Sequence, residues 1–154
     1  MLNKEKGSRG SEASPPASSP SALARMKSQK QRDTKPEIEL RACLHKMGYR
    51  FRTDMIPIPG MKTRADIAFP RVKVAIFVDG CFWHSCPKHG TMPKQNSKWW
   101  QQKLASNVLR DRETDDRLGR AGWTVVRIWE HEKPSEAAKR VVAILEKRYA
   151  TLNL

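Results

Sequence analysis

The sequence has no long apolar run and very few cysteines. No stretch of about 18 apolar residues occurs among its 154 residues, so we expect no membrane-spanning helix. The first 24 residues also lack the apolar core of a secretory signal, which predicts a cytoplasmic protein. In that reducing compartment an odd set of three cysteines, Cys43, Cys81 and Cys86, is more typical of metal binding than of disulfides.

Acidic residues are also scarce, with 16 Asp and Glu against 30 Lys and Arg and a formal net charge of +14. This excess predicts a polyanionic partner, and nucleic acid is the usual one. A protein that is basic for no functional reason is the alternative. A chain of 154 residues is long enough for one domain with a real hydrophobic core.

Composition divides the chain into three parts. Residues 1–24 are rich in Ser, Pro, Ala and Gly without periodicity, which predicts a disordered tail. Residues 25–33 are basic and polar, and they form either an arm that orders on phosphates or a solvated linker. Residues 34–154 have the apolar periodicity of a single folded domain.

Within the domain, this periodicity predicts the order α-β-β-β-α-β-α, an α/β fold with a mixed sheet flanked by helices. The strands are expected in YRFRT, RADIAF, VKVAIFVD and WTVVRIWE. The third is nearly continuous in apolar residues, which predicts a central strand buried on both faces, and the fourth is expected to be buried as well. Long helices should cover residues 97–121 and begin again near residue 135.

The first helix should begin at Thr34, which forms a capping box with Glu37, and end at Gly48. The residues of its apolar stripe are expected to be Ile38, Cys43, Leu44 and Met47.

The segment DGCFWHSCPKHG contains the densest group of chemically active side chains. Cys81, Cys86 and His89 are soft or borderline ligands, and zinc prefers four of them in a tetrahedron. We expect His131 to be the fourth, because it follows a strand whose end should lie beside this segment. A site with four protein ligands has no open position, so this zinc would be structural. The alternative is two buried cysteines and two surface histidines.

A second group combines His84 with carboxylates. His84 could act as a base or acid near neutral pH. Asp66 lies on a strand expected to be adjacent to the buried one, where a carboxylate is costly unless paired or bound to a hard divalent ion. Lys103, Asn107 and Asp111 recur every four residues on one helical face, from which Asp111 could orient His84. A salt bridge for Asp66 and a solvated helix face remain alternatives.

Two aromatic pairs, Phe82–Trp83 and Trp99–Trp100, lie on either side of a basic, polar loop. Such side chains could wedge between bases, which is least costly where base pairing is already weak. Core packing is the alternative, and we expect it for one member of each pair because secondary structure alternates its faces.

Taken together, RDTKPE, RADIAF, VDGCFWHSCPKHG, the N-x-x-R-D at residues 107–111 and GWTVVRIWEHE resemble the very short patch repair endonucleases. The resemblance implies a restriction-endonuclease-like fold and Mg²⁺-dependent nicking beside the thymine of a T:G mismatch in double-stranded DNA. It further implies a monomer, associated with the nucleoid when bound to DNA, and a functional link to a cytosine-5 methyltransferase.

The resemblance also implies residue roles. Asp66 and the main-chain carbonyl of Val78 would bind Mg²⁺, His84 with Asp111 would activate water, and Glu37 would support the site. The family's best-known form has histidine where this chain has Asp79, so Asp79 contacts either a metal or a group supporting it. Zinc positions fall on Cys81, Cys86, His89 and His131. DNA contacts fall on Phe82, Trp83 and Trp100, and on the arm residues Met26, Lys27, Lys30 and Arg32.

Two other functions remain open on the sequence. The first is a strand-nicking endonuclease of a restriction-modification system that cuts another target. The second is a zinc-stabilised DNA-binding module without catalysis, which would not need Glu37, Asp66, His84 and Asp111 together.

Overall fold

A computed structural model describes residues 15, 16, 19–21, 24 and 32–153 of the chain. The elements among these residues follow the order predicted from the sequence. They are α1 (Lys35–Lys46), β1 (Arg52–Met55), β2 (Ala65–Phe69), β3 (Val74–Asp79), α2 (Ser97–Arg120), β4 (Thr124–Trp129) and α3 (Pro134–Thr151). Each helix in this described part is too short or too polar to span a bilayer.

The four strands form one mixed sheet in the order β1-β2-β3-β4. β1, β2 and β3 pair antiparallel in succession, whereas β3 and β4 are parallel and are connected through α2. Asp79, the last residue of β3, pairs with Trp129, the last residue of β4. The carboxyl ends of these two strands therefore lie side by side, as the sequence analysis expected.

Strand β3 contributes side chains to a hydrophobic core on each of its faces. Val74 and Ile76 belong to the larger core, which packs under α1 and α3. Ala75 and Phe77 belong to the smaller core with Leu118 of α2. The prediction that VKVAIFVD forms a strand buried on both faces is therefore confirmed.

Strand β4 differs from the prediction, because only one of its faces is fully buried. Val126 and Ile128 enter the larger core, whereas Val125, Arg127 and Trp129 are only half-buried. The reason is that β4 lies at the edge of the sheet, where the α2 side is incompletely covered. This partial exposure leaves room there for a charged side chain.

Helix α1 is confirmed in its position, in its end and in the part of its stripe formed by Leu44 and Cys43, but not in its cap. Gly48 follows the helix with φ of +91°, a conformation that glycine adopts without strain. Thr34 makes no side-chain capping bond, and the Glu37 carboxylate accepts from the N–H of Asp33 rather than from that of Thr34.

The buried side of α1 is formed by Leu40 and Leu44. Ile38 and Met47, predicted in the stripe, are 50% and 43% exposed because they project from other sides of the helix. β1 also begins later than predicted, at Arg52, because the preceding rings of Tyr49 and Phe51 pack edge-on against Phe69.

Helix α3 offers a direct test of this packing. Leu145 is fully buried in the larger core, so Leu145→Ala should lower the free energy of unfolding by about 2–5 kcal/mol through lost burial and a cavity. Leu109→Ala on α2 is the matched control, because Leu109 is 58% exposed. Its effect in urea unfolding should stay within about 0.5 kcal/mol. Equal losses in the two variants would contradict the assignment of α3 to the core.

Candidate active site and metal centre

A cleft of about 630 Å³ opens at the carboxyl end of β3, between the sheet and α2. The six residues that the sequence analysis assigned to a nuclease centre all line it. They are Glu37, Asp66, Val78, Asp79, His84 and Asp111. Four basic side chains, those of Arg64, Lys103, Arg110 and Arg127, line the same cleft. The cleft therefore combines a carboxylate-rich floor with cations that suit a phosphate backbone.

Asp66 is held by one hydrogen bond and faces the cleft with its other oxygen. Its Oδ2 accepts from the N–H of Val78 at 2.7 Å, whereas Oδ1 has no hydrogen-bond partner among the described residues. Burial raises the pKa of Asp66 to about 7, the Val78 bond opposes that rise, and the charges of Glu37 and Asp79 add to it. A buried carboxylate of this kind favours a bound cation.

Glu37 reaches the cleft from α1 and is 3% exposed. Its Oε2 accepts from the backbone N–H of Asp33 at 2.8 Å and from Arg41 Nη2 at 3.3 Å. Unlike Asp66, this carboxylate has a guanidinium partner that compensates its burial.

His84 contacts Asp111 across the cleft. The distance from its Nδ1 to Asp111 Oδ2 is 2.5 Å, as the spacing on the long helix suggested. The histidine loop is tied to the same helix face, because Asn107 Nδ2 donates to the carbonyl of Trp83 at 3.1 Å. His84 Nε2 has no hydrogen-bond partner in the described part of the chain.

Asp79 is 5% exposed and forms an ion pair that sequence analysis missed. Arg127 Nη1 donates to its two oxygens at 3.1 and 3.4 Å. Burial raises the pKa of Asp79, and the charge of Arg127 opposes that rise. The Asp79 Oδ1 atom lies 3.8 Å from His84 Nδ1. One feature of the sequence could have indicated Arg127, since it is the single charged residue within the strand TVVRIW.

Beyond the ends of β3 and β4, four potential metal ligands come together. Their ligand atoms lie within 4.8 Å of one another, and the residues are Cys81, Cys86, His89 and His131. His131 Nδ1 lies 3.1 Å from Cys81 Sγ and 3.7 Å from Cys86 Sγ. The structure therefore places His131 beside the three ligand candidates on the loop, where the sequence analysis expected it.

The loop that carries these ligands is tightly wound. Its N–H groups donate to preceding carbonyls, among them Cys86 to Cys81 at 2.9 Å and Gly90 to Cys86 at 2.8 Å. A Cβ at Gly90 would lie 2.5 Å from the Cys86 carbonyl oxygen, so only glycine fits there. Burial would raise the pKa of Cys86, but the backbone N–H groups of His89 and Lys88 outweigh it and lower that pKa.

The four aromatic residues pack on one another beside the cleft. Trp100 contacts Phe82, Trp83 and Trp99 at ring-centroid distances of 5.3, 5.8 and 4.8 Å. All four side chains are half-buried. The expectation that one member of each pair belongs to the core is therefore wrong, because the rings contact each other edge-on or tilted outside both hydrophobic cores.

Comparison with known proteins identifies the family. Residues 20–89 match the family model described as DNA mismatch endonuclease Vsr. The chain is 47% identical to the Type II nicking enzyme V.NaeI of Lentzea aerocolonigenes over 122 residues, which are 78% of this chain and 74% of the relative. The chain belongs to the Vsr family of DNA mismatch endonucleases.

Two further relatives agree. The Type II nicking enzyme V.XorIIP of Xanthomonas oryzae pv. oryzae is 37% identical over 70% of this chain and 77% of its own length. The DNA mismatch endonuclease Vsr of Escherichia coli is 35% identical over 64% of this chain and 62% of its own length. The protein is accordingly an endonuclease that acts on DNA phosphodiester bonds.

The basic arm of this Vsr-family endonuclease is described only at its end. Met26, Lys27 and Lys30 lie outside the described residues. Arg32 forms an exposed ion pair with Asp54 at 2.7 Å. The hydrogen bond from Arg32 lowers the pKa of Asp54, and Arg64 acts in the same direction.

The raised pKa of Asp66 predicts a stabilising substitution. Its carboxyl ionises near pH 7 in the folded protein but near 3.8 when unfolded, so protonation favours the fold and that stability is lost as pH rises from about 4 through 7. At pH 8 without Mg²⁺, Asp66→Asn should therefore raise the free energy of unfolding by up to about 4 kcal/mol. The gain should shrink below pH 5, as measured by urea unfolding.

The matched control is Asp54→Asn, since the pKa of Asp54 is lowered and its charge favours the fold. This variant should be no more stable than the wild type at pH 8. An Asp66→Asn protein without a stability gain at pH 8 would contradict the raised pKa of Asp66.

Proposed function

We propose that this endonuclease nicks one DNA strand beside the thymine of a T:G mismatch, the lesion left by deamination of 5-methylcytosine. The observation that carries the proposal is the convergence of Asp66, with one oxygen free, and the His84–Asp111 pair in a single cleft that basic side chains also line. A restriction-endonuclease-like arrangement of the mixed sheet is part of the same proposal, as is action as a monomer in partnership with a cytosine-5 methyltransferase.

Asp66 and the main-chain carbonyl of Val78 are the proposed Mg²⁺ ligands. Hard oxygen donors suit this ion, and Asp66 has no cation of its own among the described residues. When bound, Mg²⁺ would neutralise the negative charge that develops on the scissile phosphate. Glu37, already compensated by Arg41, holds the α1 wall of the cleft and adds negative charge beside Asp66.

His84 is the proposed general base. Its Nδ1–H donates to Asp111, which fixes the ring and leaves Nε2 to take a proton from the attacking water. Asn107 holds the loop in register by its bond to the carbonyl of Trp83. Lys103 and Arg110 lie on the same helix and line the cleft, where they would contact phosphates flanking the cut.

Mismatch recognition is proposed for the aromatic cluster. Phe82, Trp83 and Trp100 are half-buried and pack on one another beside the cleft, so they could insert beside a weakened base pair without disturbing either hydrophobic core. The basic arm, with Met26, Lys27, Lys30 and Arg32, would then grip the duplex from its other side.

The four-residue Cys/His set is proposed to hold a structural zinc. Two thiol and two imidazole ligands are a composition that zinc accepts in closed tetrahedral sites. Cys81 and Cys86 bracket His84 in the chain, so the metal would hold the catalytic histidine's loop in place.

A second candidate is nicking of a different target linked to a restriction system. The names of two relatives, Type II nicking enzymes V.NaeI and V.XorIIP, favour it. The two functions differ in whether cutting requires a mismatch.

Nicking assays on defined duplexes test the proposed function. With Mg²⁺, the protein should nick T:G duplexes in at least one cytosine-methylation context and leave the matched T:A duplexes intact. Asp66→Ala should slow cutting by at least about 10³-fold through loss of the metal carboxylate. His84→Ala and Asp111→Asn should slow it by about 10²–10⁴-fold.

Asp116→Asn is the control for Asp111→Asn, because Asp116 is exposed on the same helix. The Asp116→Asn protein should cut at the wild-type rate. Equal cutting of T:A and T:G duplexes would favour the second candidate. Tight, salt-sensitive binding without any cutting would overturn both enzymatic proposals.

Metal analysis tests the zinc proposal separately. The purified protein should contain about one zinc ion per chain, and Cys81→Ala or His131→Ala should remove most of it. His131→Cys should retain zinc, since a thiolate can replace the imidazole. Cys43 lies outside the cluster, so Cys43→Ser should not change the zinc content. Zinc retained by Cys81→Ala would contradict the assigned ligands.

A further inference from the structure

Arg127 occupies the centre of the polar network behind His84, although its side chain is only 23% exposed. Its guanidinium contacts three carboxylate residues. Nη1 donates to Asp79 at 3.1 Å and lies 3.5 Å from Asp111 Oδ1, while Nη2 donates to Asp115 at 2.7 Å and to the Asp111 carbonyl at 3.4 Å. One cation therefore joins the end of β3 to two successive turns of α2.

The side chain of Arg127 is itself fixed from two further directions. Its Nε donates to Asp115 Oδ1 at 3.1 Å, so that Asp115 receives two nitrogens of the planar fork. The guanidinium carbon lies 4.4 Å from the centre of the Phe77 ring, a cation–π contact inside the smaller core. A group held on both its edge and its face has little freedom to change the atoms it contacts.

The two carboxylates nearest His84 compete for the same ring nitrogen. Asp111 Oδ2 lies 2.5 Å from Nδ1, and Asp79 Oδ1 lies 3.8 Å from it. Asp79 does not turn toward the histidine because both its oxygens accept from Arg127. Without that partner, the carboxylates of buried Asp79 and half-buried Asp111 would face one imidazole, and either could bond it.

The same three residues, Asp79, His84 and Asp111, present ligand atoms within 4.8 Å of one another, a spacing that would also suit a metal ion. The guanidinium of Arg127 already supplies the positive charge that this cluster requires. This distinguishes the cluster from Asp66, whose carboxylate has no cation partner among the described residues.

We propose that Arg127 is a positioning residue of the nicking reaction, which engages Asp79 and steadies Asp111 so that only Asp111 orients His84. The inference rests on the proposed function, because it assigns Arg127 an effect through the His84 base. Arg127 touches neither the scissile phosphate nor the attacking water in this account. Asp115 lies outside the cleft and anchors Arg127, so it contributes to the same positioning of His84.

Steady-state and binding measurements on Arg127→Ala test the proposal. The value of kcat should fall by about 10²-fold, the range for impaired base catalysis, while the Kd for the mismatched duplex changes by less than about threefold. Guanidinium ion added to Arg127→Ala should restore at least about tenfold in kcat by refilling the vacated space. Arg127→Lys should recover less than Arg127 itself, since an ammonium lacks the planar fork.

Arg148→Ala is the matched control. Arg148 lies on α3 and is a half-buried arginine that donates to main-chain carbonyls, those of Val72 and Gly122, but it does not line the cleft. It should lose stability without a change in kcat and without rescue by guanidinium. If Arg127→Ala does not fold, Asp115→Asn takes its place as the test variant. It keeps the charge of Arg127 and weakens only its anchor, so it should lower kcat by about three- to tenfold.

A spectroscopic measurement follows the histidine directly. In protein labelled with ¹⁵N-histidine, His84, assigned through His84→Gln, should show one tautomer with the proton on Nδ1. Asp115→Asn and Arg127→Ala should broaden or split this signal, and Arg148→Ala should not.

The outcomes separate the two levels of the proposal. A wild-type protein that cuts no duplex overturns the proposed function and this inference with it. If the wild type cuts and Arg127→Ala has an unchanged kcat, the role of Arg127 alone is overturned. The same holds if kcat of Arg127→Ala is reduced but guanidinium does not restore it and the His84 tautomer is unaltered.

Discussion

The parallel ladder between β3 and β4 pairs Asp79 with Trp129, and the two segments that follow these strands stay in contact. The N–H of Glu130 donates to the Asp79 carbonyl at 2.9 Å, and the N–H of Cys81 donates to the Glu130 carboxylate at 2.9 Å. This continued contact places the Cys/His set directly beside the cleft. His84, the proposed general base, lies between the two cysteines of that set in the sequence, so both sites depend on the same strand pairing.

Compensation of buried charge distinguishes the carboxylates of the cleft from one another. Glu37 has Arg41 as its partner, and Asp79 has Arg127. Asp66 accepts one hydrogen bond, from a backbone N–H, and burial raises its pKa to about 7 although the charge of Arg41 opposes that rise. A buried carboxylate without an ion-pair partner is well suited to receive an external cation. The proposed Mg²⁺ ligand, Asp66, therefore differs from Glu37 and Asp79 in having no ion-pair partner among the described residues.

Much of the fold could be predicted because its strands and helices have strong apolar periods. The element order and the doubly buried β3 followed from the sequence, whereas the exposed positions of Ile38 and Met47 did not. A helical period shows that one face is apolar, but the angle at which α1 meets the sheet decides which residues cover it. The aromatic pairs were misassigned for the same reason, since only packing decides whether rings face a core or one another.

The sequence by itself determined the family, the ligand types of the Cys/His set and the helical spacing that brings Asp111 to His84. These follow from residue chemistry and local periodicity, which act over a few residues. Tertiary structure alone decided that Arg127 reaches Asp79, Asp111 and Asp115, because these residues come from three elements separated by up to 48 positions in the chain. An ion pair of that kind depends on which strands are neighbours and which face a side chain takes, and neither is set locally.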